Sequence, residues 1–224
     1  VWRELAGPRL YLSFGADDAD VRLLQAAWSD NAWAVQAHTP LGKLSFTLHI
    51  AGRHNVMNAL AATACAVAAG VPVLGGNLPR SQMRAAMADA AWDGHLPAAA
   101  LSRQYAALRE GHCGLLPESQ IGPMARIQIA RDAAMAQTAR EAMRPGQAVL
   151  LVAGSGHVLR SIGVPTHWSA NIKSKVVVAQ AGKAQTATTL IAKDADAVVE
   201  TPALPPRDAC AELRQQWQRP AAAR

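Results

Sequence analysis

Residues 148–157 read AVLLVAGSGH: six consecutive apolar positions, then a glycine-rich turn that ends in a histidine. A run that is apolar at every position, and not at alternate ones, marks a strand covered on both faces, as in the centre of a parallel sheet. Helical patterns flank it. Gln120–Met143 carries Ile121, Met124, Ile127, Ala134, Thr138 and Ala142 at helical spacing, with its regular part expected from about Pro123, and Pro145-Gly146 breaks it. Pro79 to about Trp92 and Pro97–Glu110 read as two further helices. Val71–Leu74 reads as a short buried strand, and Lys175–Ala179 and Ala195–Val199 as further strands. Strands alternating with helices predict an α/β fold: an incomplete parallel or mixed sheet with flanking helices.

In open parallel sheets ligands gather beyond the carboxyl edge of the strands. His157 follows its strand directly and is expected over that edge, with Gly154 and Gly156 allowing a sharp turn and leaving room for a ligand. A dinucleotide fingerprint needs a third glycine where Leu159 stands, so NAD is disfavoured. Gly111-His112-Cys113-Gly114 presents a second histidine on a turn, and Glu118 follows. Histidine and glutamate are admissible ligands of haem (heme) iron or another metal, although HExxH is absent. Gln128, Arg131, Asp132 and Met135 recur every three or four residues and share one helix face. The bland alternatives are a satisfied turn histidine at 157, a buried structural Cys113 and a surface Arg131–Asp132 pair. Adjacent helical positions diverge by about 100°, which argues against that last pair.

Composition narrows the classes. Of 224 residues, half are hydrophobic and 17% charged, so the chain can bury a core and is not disordered. The net charge of +6 comes without a lysine/arginine block, which excludes a dedicated nucleic-acid role but suits small anionic ligands. Cys65, Cys113 and Cys210 are odd in number and lack CxxC spacing, so neither a disulfide framework nor a zinc site is expected. The apolar run Leu60–Val73 is interrupted by Thr63, Gly70 and Pro72 and predicts no transmembrane segment. No signal peptide or lipobox is visible, so the chain as written is expected to be cytoplasmic. Its opening at Val1 and Trp2 reads as the middle of a domain.

Residues 1–70 use a different vocabulary. Leu10–Phe14 reads as a short strand. Ala32–His38 and Lys43–Ile50 flank Thr39-Pro40-Leu41-Gly42 and predict a β-hairpin, with Leu44, Phe46, Leu48 and Ile50 on one face. GRHNVMNALAATACAVAAG at 52–70 reads as a helix capped by Asn55 and closed by Gly70.

LSFG, the TPLG hairpin and GRHNVMNALAATACAVAAGV resemble the end of the central domain of Mur ligases, most closely the MurF type. That resemblance implies that Asn55 and Asn58, with His54 adjacent, lie beside the adenine of ATP. No GxxxxGK[ST] loop is present, so ATP-dependent ligation is not expected. VPVLGGNLPR, REGHCGLLPESQ, PMARIQIARDAAMA and AGSGHVLRSIGVPTHW, in that order over residues 71–224, resemble the ChaN family of haem-binding uptake proteins in the Tiki/TraB-type superfamily.

That second resemblance implies an α/β domain, haem binding, iron uptake, attachment to the cell envelope as a lipoprotein family, and a homodimer. The expected organisation is a Mur-ligase-like segment at 1–70 and a ChaN-like domain at 71–224, joined as a fusion or fragment. ChaN members open with a strand and a glycine-glutamate turn that residues 1–70 do not supply, so the site is expected to be incomplete. Under this reading His112 and His157 face the haem and Tyr105 is an alternative iron ligand. Arg80 and Arg131 pair with the propionates, and Asn77, Gln128, Asp132, Gly154 and Gly156 line the site. A metal-dependent hydrolase built on His112, Glu118 and His157 is the enzymatic alternative, and an ATP-binding ligase remnant is the other.

Overall fold

A computed structural model describes residues 12–29, 32–48, 52–72, 74–181 and 193–202, together with 208, 210, 211, 213 and 214. The chain is mixed α/β and divides into two compact units, Val1–Gly75 and Gly76–Arg224.

The first unit is a four-stranded sheet with a helix against it. Its strands are β1 (Phe14–Gly15), β2 (Val21–Ser29), β3 (Ala32–Thr39) and β4 (Gly42–Leu48), in the order β1-β2-β3-β4. β1 runs parallel to β2, and β2, β3 and β4 form an antiparallel meander. The turn between β3 and β4 closes with Thr39 opposite Gly42. There the Thr39 hydroxyl donates to the Gly42 carbonyl at 2.9 Å and accepts from the Leu41 amide at 3.1 Å. Gly42 has φ 115°, a conformation that favours glycine.

Helix α1 (Arg53–Ala69) lays Leu60 and Ala64 against Val21 and Ala37. Burying a side chain such as Leu60 completely contributes roughly 1.5–3 kcal/mol. The helix ends on Gly70 at φ 63°, with the Gly70 and Val71 amides returning to the Val67 and Ala66 carbonyls. Asn55 is not its cap. Gly52 holds that position, and Asn55 lies inside the first turn with its amide bonded to the Gly52 carbonyl at 3.0 Å. Of the expected strand at 10–14, Leu10 and Tyr11 lie outside the described residues, as do His49 and Ile50 of the hairpin.

The second unit is organised around α4 (Glu118–Ala142). Helices α2 (Arg80–Ala88) and α3 (Ala98–Gly111) pack on it, as do two single turns of tighter helix, Ala90–Gly94 and Val164–His167. A four-residue helix, α5, spans Ser155–Val158. β5 (Val177–Ala181) and β6 (Ala197–Thr201) form a parallel pair, each displaced two residues from the span read in the sequence. The main core joins Leu96, Ala100, Ile129, Leu159, Ile162, Val176 and Val178. Asp194, fully buried, ties this region together: it accepts from Arg103 Nη2 at 2.6 Å and from the Ser161 amide at 3.1 Å. Among the described residues no helix is long and apolar enough to cross a membrane.

Four local expectations are corrected. The long helix starts at Glu118, so Pro123 sits inside it and removes one backbone donor without ending it. Of the expected strand at Val71–Leu74, the described residues 71, 72 and 74 lie in no strand, Val71 and Leu74 being 54% and 60% exposed, and Val73 lies outside the described residues. Residues 148–153 belong to no helix and join no sheet among the described residues. Cys113 and Cys210 form a disulfide with Cα atoms 5.6 Å apart, leaving Cys65 free. Parity and spacing miss that bridge because the two cysteines are 97 positions apart and meet only through the fold.

Candidate functional site

The middle of α4 presents Arg131 and Asp132, adjacent in sequence and each about one turn from Gln128. Asp132 is 2% exposed and points at the turn after residues 148–153, where His157 stands on α5. The His157 Nδ1–H donates to Asp132 Oδ1 at 2.6 Å. Burial pushes the Asp132 carboxyl above its ordinary range, while the His157 bond and the charges of His157 and Arg131 pull the other way. With Nδ1 occupied, His157 has only Nε2 for an external partner, and no second hydrogen bond to the ring occurs among the described residues. This carboxylate–histidine geometry fixes the tautomer and raises the ligand strength of the far nitrogen.

Arg131 diverges from its neighbour. Its Nε donates to Asn77 Oδ1 at 3.0 Å and its Nη1 to Gln128 Oε1 at 3.1 Å. Burial pulls its guanidinium below the ordinary value, opposed by the Asp132 charge. Two neutral oxygens therefore orient a desolvated cation while leaving its charge uncompensated by direct pairing. The fold thus brings together Asn77, Gln128, Arg131, Asp132 and His157. Arg80 is exposed at the first turn of α2.

The other candidates lie elsewhere along α4. His112 caps α3, and its Nδ1–H donates to the Leu108 carbonyl at 2.8 Å. Leu108 and Tyr105 pack with Ile121 and Ala125. From Ala125 to Asp132 is seven residues, roughly 10 Å along the helix at 1.5 Å per residue. His112 and His157 are fastened to separate stretches of α4. Glu118 is held by Arg109, Nε to Oε2 at 3.0 Å with a second bond from Nη2 to Oε1, which keeps the Glu118 carboxyl low. Among the described residues no three His, Cys, Asp or Glu side chains cluster as a metal group. In the first unit, His54, Asn55 and Asn58 all lie in the opening turns of α1. There Asn58 Nδ2 donates to Asn55 Oδ1 at 3.5 Å.

Two features escape the sequence reading. Neither Gly154 nor Gly156 has left-handed backbone, and a Cβ on either meets nothing closer than 3.8 Å. The glycine the turn requires is Gly163, where a Cβ would lie 2.2 Å from the His157 carbonyl oxygen. The second is a histidine pair. The rings of His95 and His167 stack at 3.9 Å with 9° between planes, and Trp92 meets His167 edge-on. The Thr166 hydroxyl donates to the Gly163 carbonyl, so it accepts from His95 Nε2–H at 2.9 Å. His167 Nε2 is buried with no hydrogen-bond partner among the described residues. Burial and the adjacent His95 pull the His167 imidazole down to about 4. Two lone histidines far apart in sequence carry no spacing signal that could reveal this stack.

Comparison with known proteins bears on the same residues. A family model described as haem-binding uptake, Tiki superfamily, ChaN covers residues 61–167. Residues 61–167 match ChaN. The ChaN match includes Asn77, Tyr105, His112, Glu118, Gln128, Arg131, Asp132 and His157, and it supports a haem-binding or uptake-related role for the chain. Two crystal structures of MurF from Acinetobacter baumannii also align. One is 30% identical over 38% of this chain and 25% of that one, with a TM-score of 0.29. The other is 22% identical over 58% and 38%, with a TM-score of 0.30. The chain therefore spans well under half the length of either MurF. No curated protein matches it.

Proposed function

We propose that the chain binds haem through His157, in service of iron uptake. The observation that carries this reading is the 2.6 Å bond from His157 Nδ1 to the buried Asp132 carboxylate, inside the ChaN match. The donor set fits the group. His157 Nε2 would be the nitrogen offered to ferric haem iron, and the Asp132 carboxylate on Nδ1 would strengthen and orient it. Arg131, oriented by Asn77 and Gln128, supplies a guanidinium suited to a propionate carboxylate, and Arg80 is a second, exposed candidate. When bound, haem supplies the iron and its ligand-exchange chemistry. The chain's own residues hold it, orient it and keep Nε2 unprotonated for it.

The rest of the family picture belongs to the same proposal: location at the cell envelope, homodimerisation, and His112 or Tyr105 as further ligands at a second contact. The Cys113–Cys210 bridge supports an oxidising compartment, where such bonds persist. Absorption spectroscopy during hemin titration tests the core claim. The chain is expected to develop a Soret band that His157→Ala weakens by about tenfold in affinity, with Asp132→Asn intermediate because it loses only the orienting charge. A spectrum unaffected by His157→Ala ends the assignment to this residue.

A further inference from the structure

Two histidines that the candidate site does not use lie face to face on the short turns beside it. His95 follows the Ala90–Gly94 turn and His167 ends the Val164–His167 turn. Their rings stack at 3.9 Å with 9° between planes, and Trp92 covers His167 edge-on. The arrangement suits neutral rings. His167 Nε2 has no hydrogen-bond partner among the described residues, so a proton there is a buried donor without an acceptor. A second proton sets two like charges face to face. Burial lowers the pKa of His95, and burial with His95 brings His167 to about 4 against an opposing bond from the Ile129 backbone.

The charged side chains on the neighbouring elements are engaged elsewhere. Asp89 accepts from the Ala91 amide, Asp93 holds Arg126, Arg131 is held by Asn77 and Gln128, and Asp132 holds His157. None of those carboxylates bonds to either imidazole of the stack among the described residues.

The stack is connected to His157 through Gly163. His95 Nε2–H donates to the Thr166 hydroxyl at 2.9 Å, and that hydroxyl donates to the Gly163 carbonyl at 2.8 Å. The Thr166 amide reaches the same carbonyl at 2.9 Å, and the Gly163 amide donates to the Leu159 carbonyl at 2.8 Å. Gly163 sits so close to the His157 turn that a Cβ on it would stand 2.2 Å from the His157 carbonyl oxygen. Movement of the His167 turn is therefore passed directly to the backbone of His157.

We propose that the His95–His167 stack is an acid-operated latch on His157. Protons entering the stack part the two turns, draw Gly163 away from the His157 carbonyl and loosen His157 from Asp132, so that a ligand held by His157 leaves in acid. That this ligand is haem rests on the function proposed above, whereas the latch itself does not. The sign follows from linkage. Opening returns the His167 ring to its ordinary value of 6.5, so the open form gains as the pH falls below 6.5 and the gain levels off near 4.

Hydrogen exchange in the haem-free full chain, corrected for intrinsic rates, tests the latch. Protection of the His157, Gly163 and Thr166 amides is expected to fall by about tenfold or more between pH 7 and pH 5, while Ala125 in α4 keeps its own. H95Q combined with H167Q should hold the three amides protected at pH 5. The latch is overturned if their protection does not change with pH, if the double variant loses it equally, or if Ala125 falls in step with them. Should the double variant lack protection even at pH 7, the imidazole resonances of the parent chain decide. Loss of protection must then follow the titration of His95 and His167, and loss that follows His157 alone overturns the proposal. In hemin-loaded chain, release to an acceptor protein should speed up over the same pH range, and less so in the double variant, which keeps His157. Failure of hemin to bind at all removes the haem reading and leaves the exchange result to judge the latch.

Discussion

Gly163 shows how one residue can hold a site it does not touch chemically. Its φ of −103° is open to any residue, so conformational freedom is not the reason for glycine. The reason is space: a Cβ would stand 2.2 Å from the His157 carbonyl oxygen and 2.9 Å from that of Gly156. Both obstacles are backbone and cannot rotate away. Gly163→Ala must displace the 156–157 turn, and with it the His157 ring relative to Asp132. We expect a destabilisation of about 2–3 kcal/mol by overpacking, seen as a lower urea midpoint, together with weaker hemin binding. An alanine variant with unchanged midpoint and affinity would show that the contact relaxes freely. At Gly156, where a Cβ meets nothing within 4 Å, the same substitution is expected to change stability by less than about 1 kcal/mol.

At the scale of elements, α4 is the beam on which the unit hangs, and its neighbours are fastened by polar groups. The turn at Ala90–Gly94 is held through Asp93, which accepts two bonds of 2.7 Å from Arg126 and is thereby kept a low-pKa carboxylate. The turn at Val164–His167 leans on that one through the His95–His167 stack. Because burial and His95 depress the folded-state pKa of His167 to about 4, against 6.5 when free, the unfolded chain binds more protons between those values. Stability from this group is therefore complete above about pH 6.5 and is lost as the pH falls toward 4. Allowing for partial solvent access, the loss is on the order of 2 kcal/mol. Thermal melts at pH 7.5, 6, 5 and 4.5 should show the fall, and His167→Gln should flatten it. An identical pH profile in the variant would place the titration elsewhere.

For the whole molecule, the Cys113–Cys210 bridge closes a loop spanning 97 positions, so it removes considerable freedom from the unfolded chain. Loops of that size are worth up to about 4–5 kcal/mol in the entropic account, with measured effects typically about 2–4. Cys113→Ser, or reduction of the native chain, should lower the denaturant midpoint accordingly, while Cys65→Ser, which breaks no bond, should not. Equal midpoints for Cys113→Ser and the parent chain would mean that the bridge adds nothing.

What was legible in the sequence is what neighbours along the chain decide. Period-two alternation around a Pro/Gly turn set the β3–β4 hairpin, Gly70 set the end of α1, and three-to-four spacing set the shared face of Gln128, Arg131 and Asp132. Those are local effects of backbone geometry and side-chain direction, written in adjacent residues. The tertiary structure alone decided that Asn77 would reach Arg131, that His95 would lie on His167, that Cys113 would meet Cys210, and that Gly163 would be the glycine the His157 turn cannot replace. It also decided that 148–153, apolar enough for the centre of a sheet, joins no sheet among the described residues. Each of these depends on contacts between segments distant in sequence, where burial, hydrogen-bond completion and excluded volume act on atoms that no window of the chain contains.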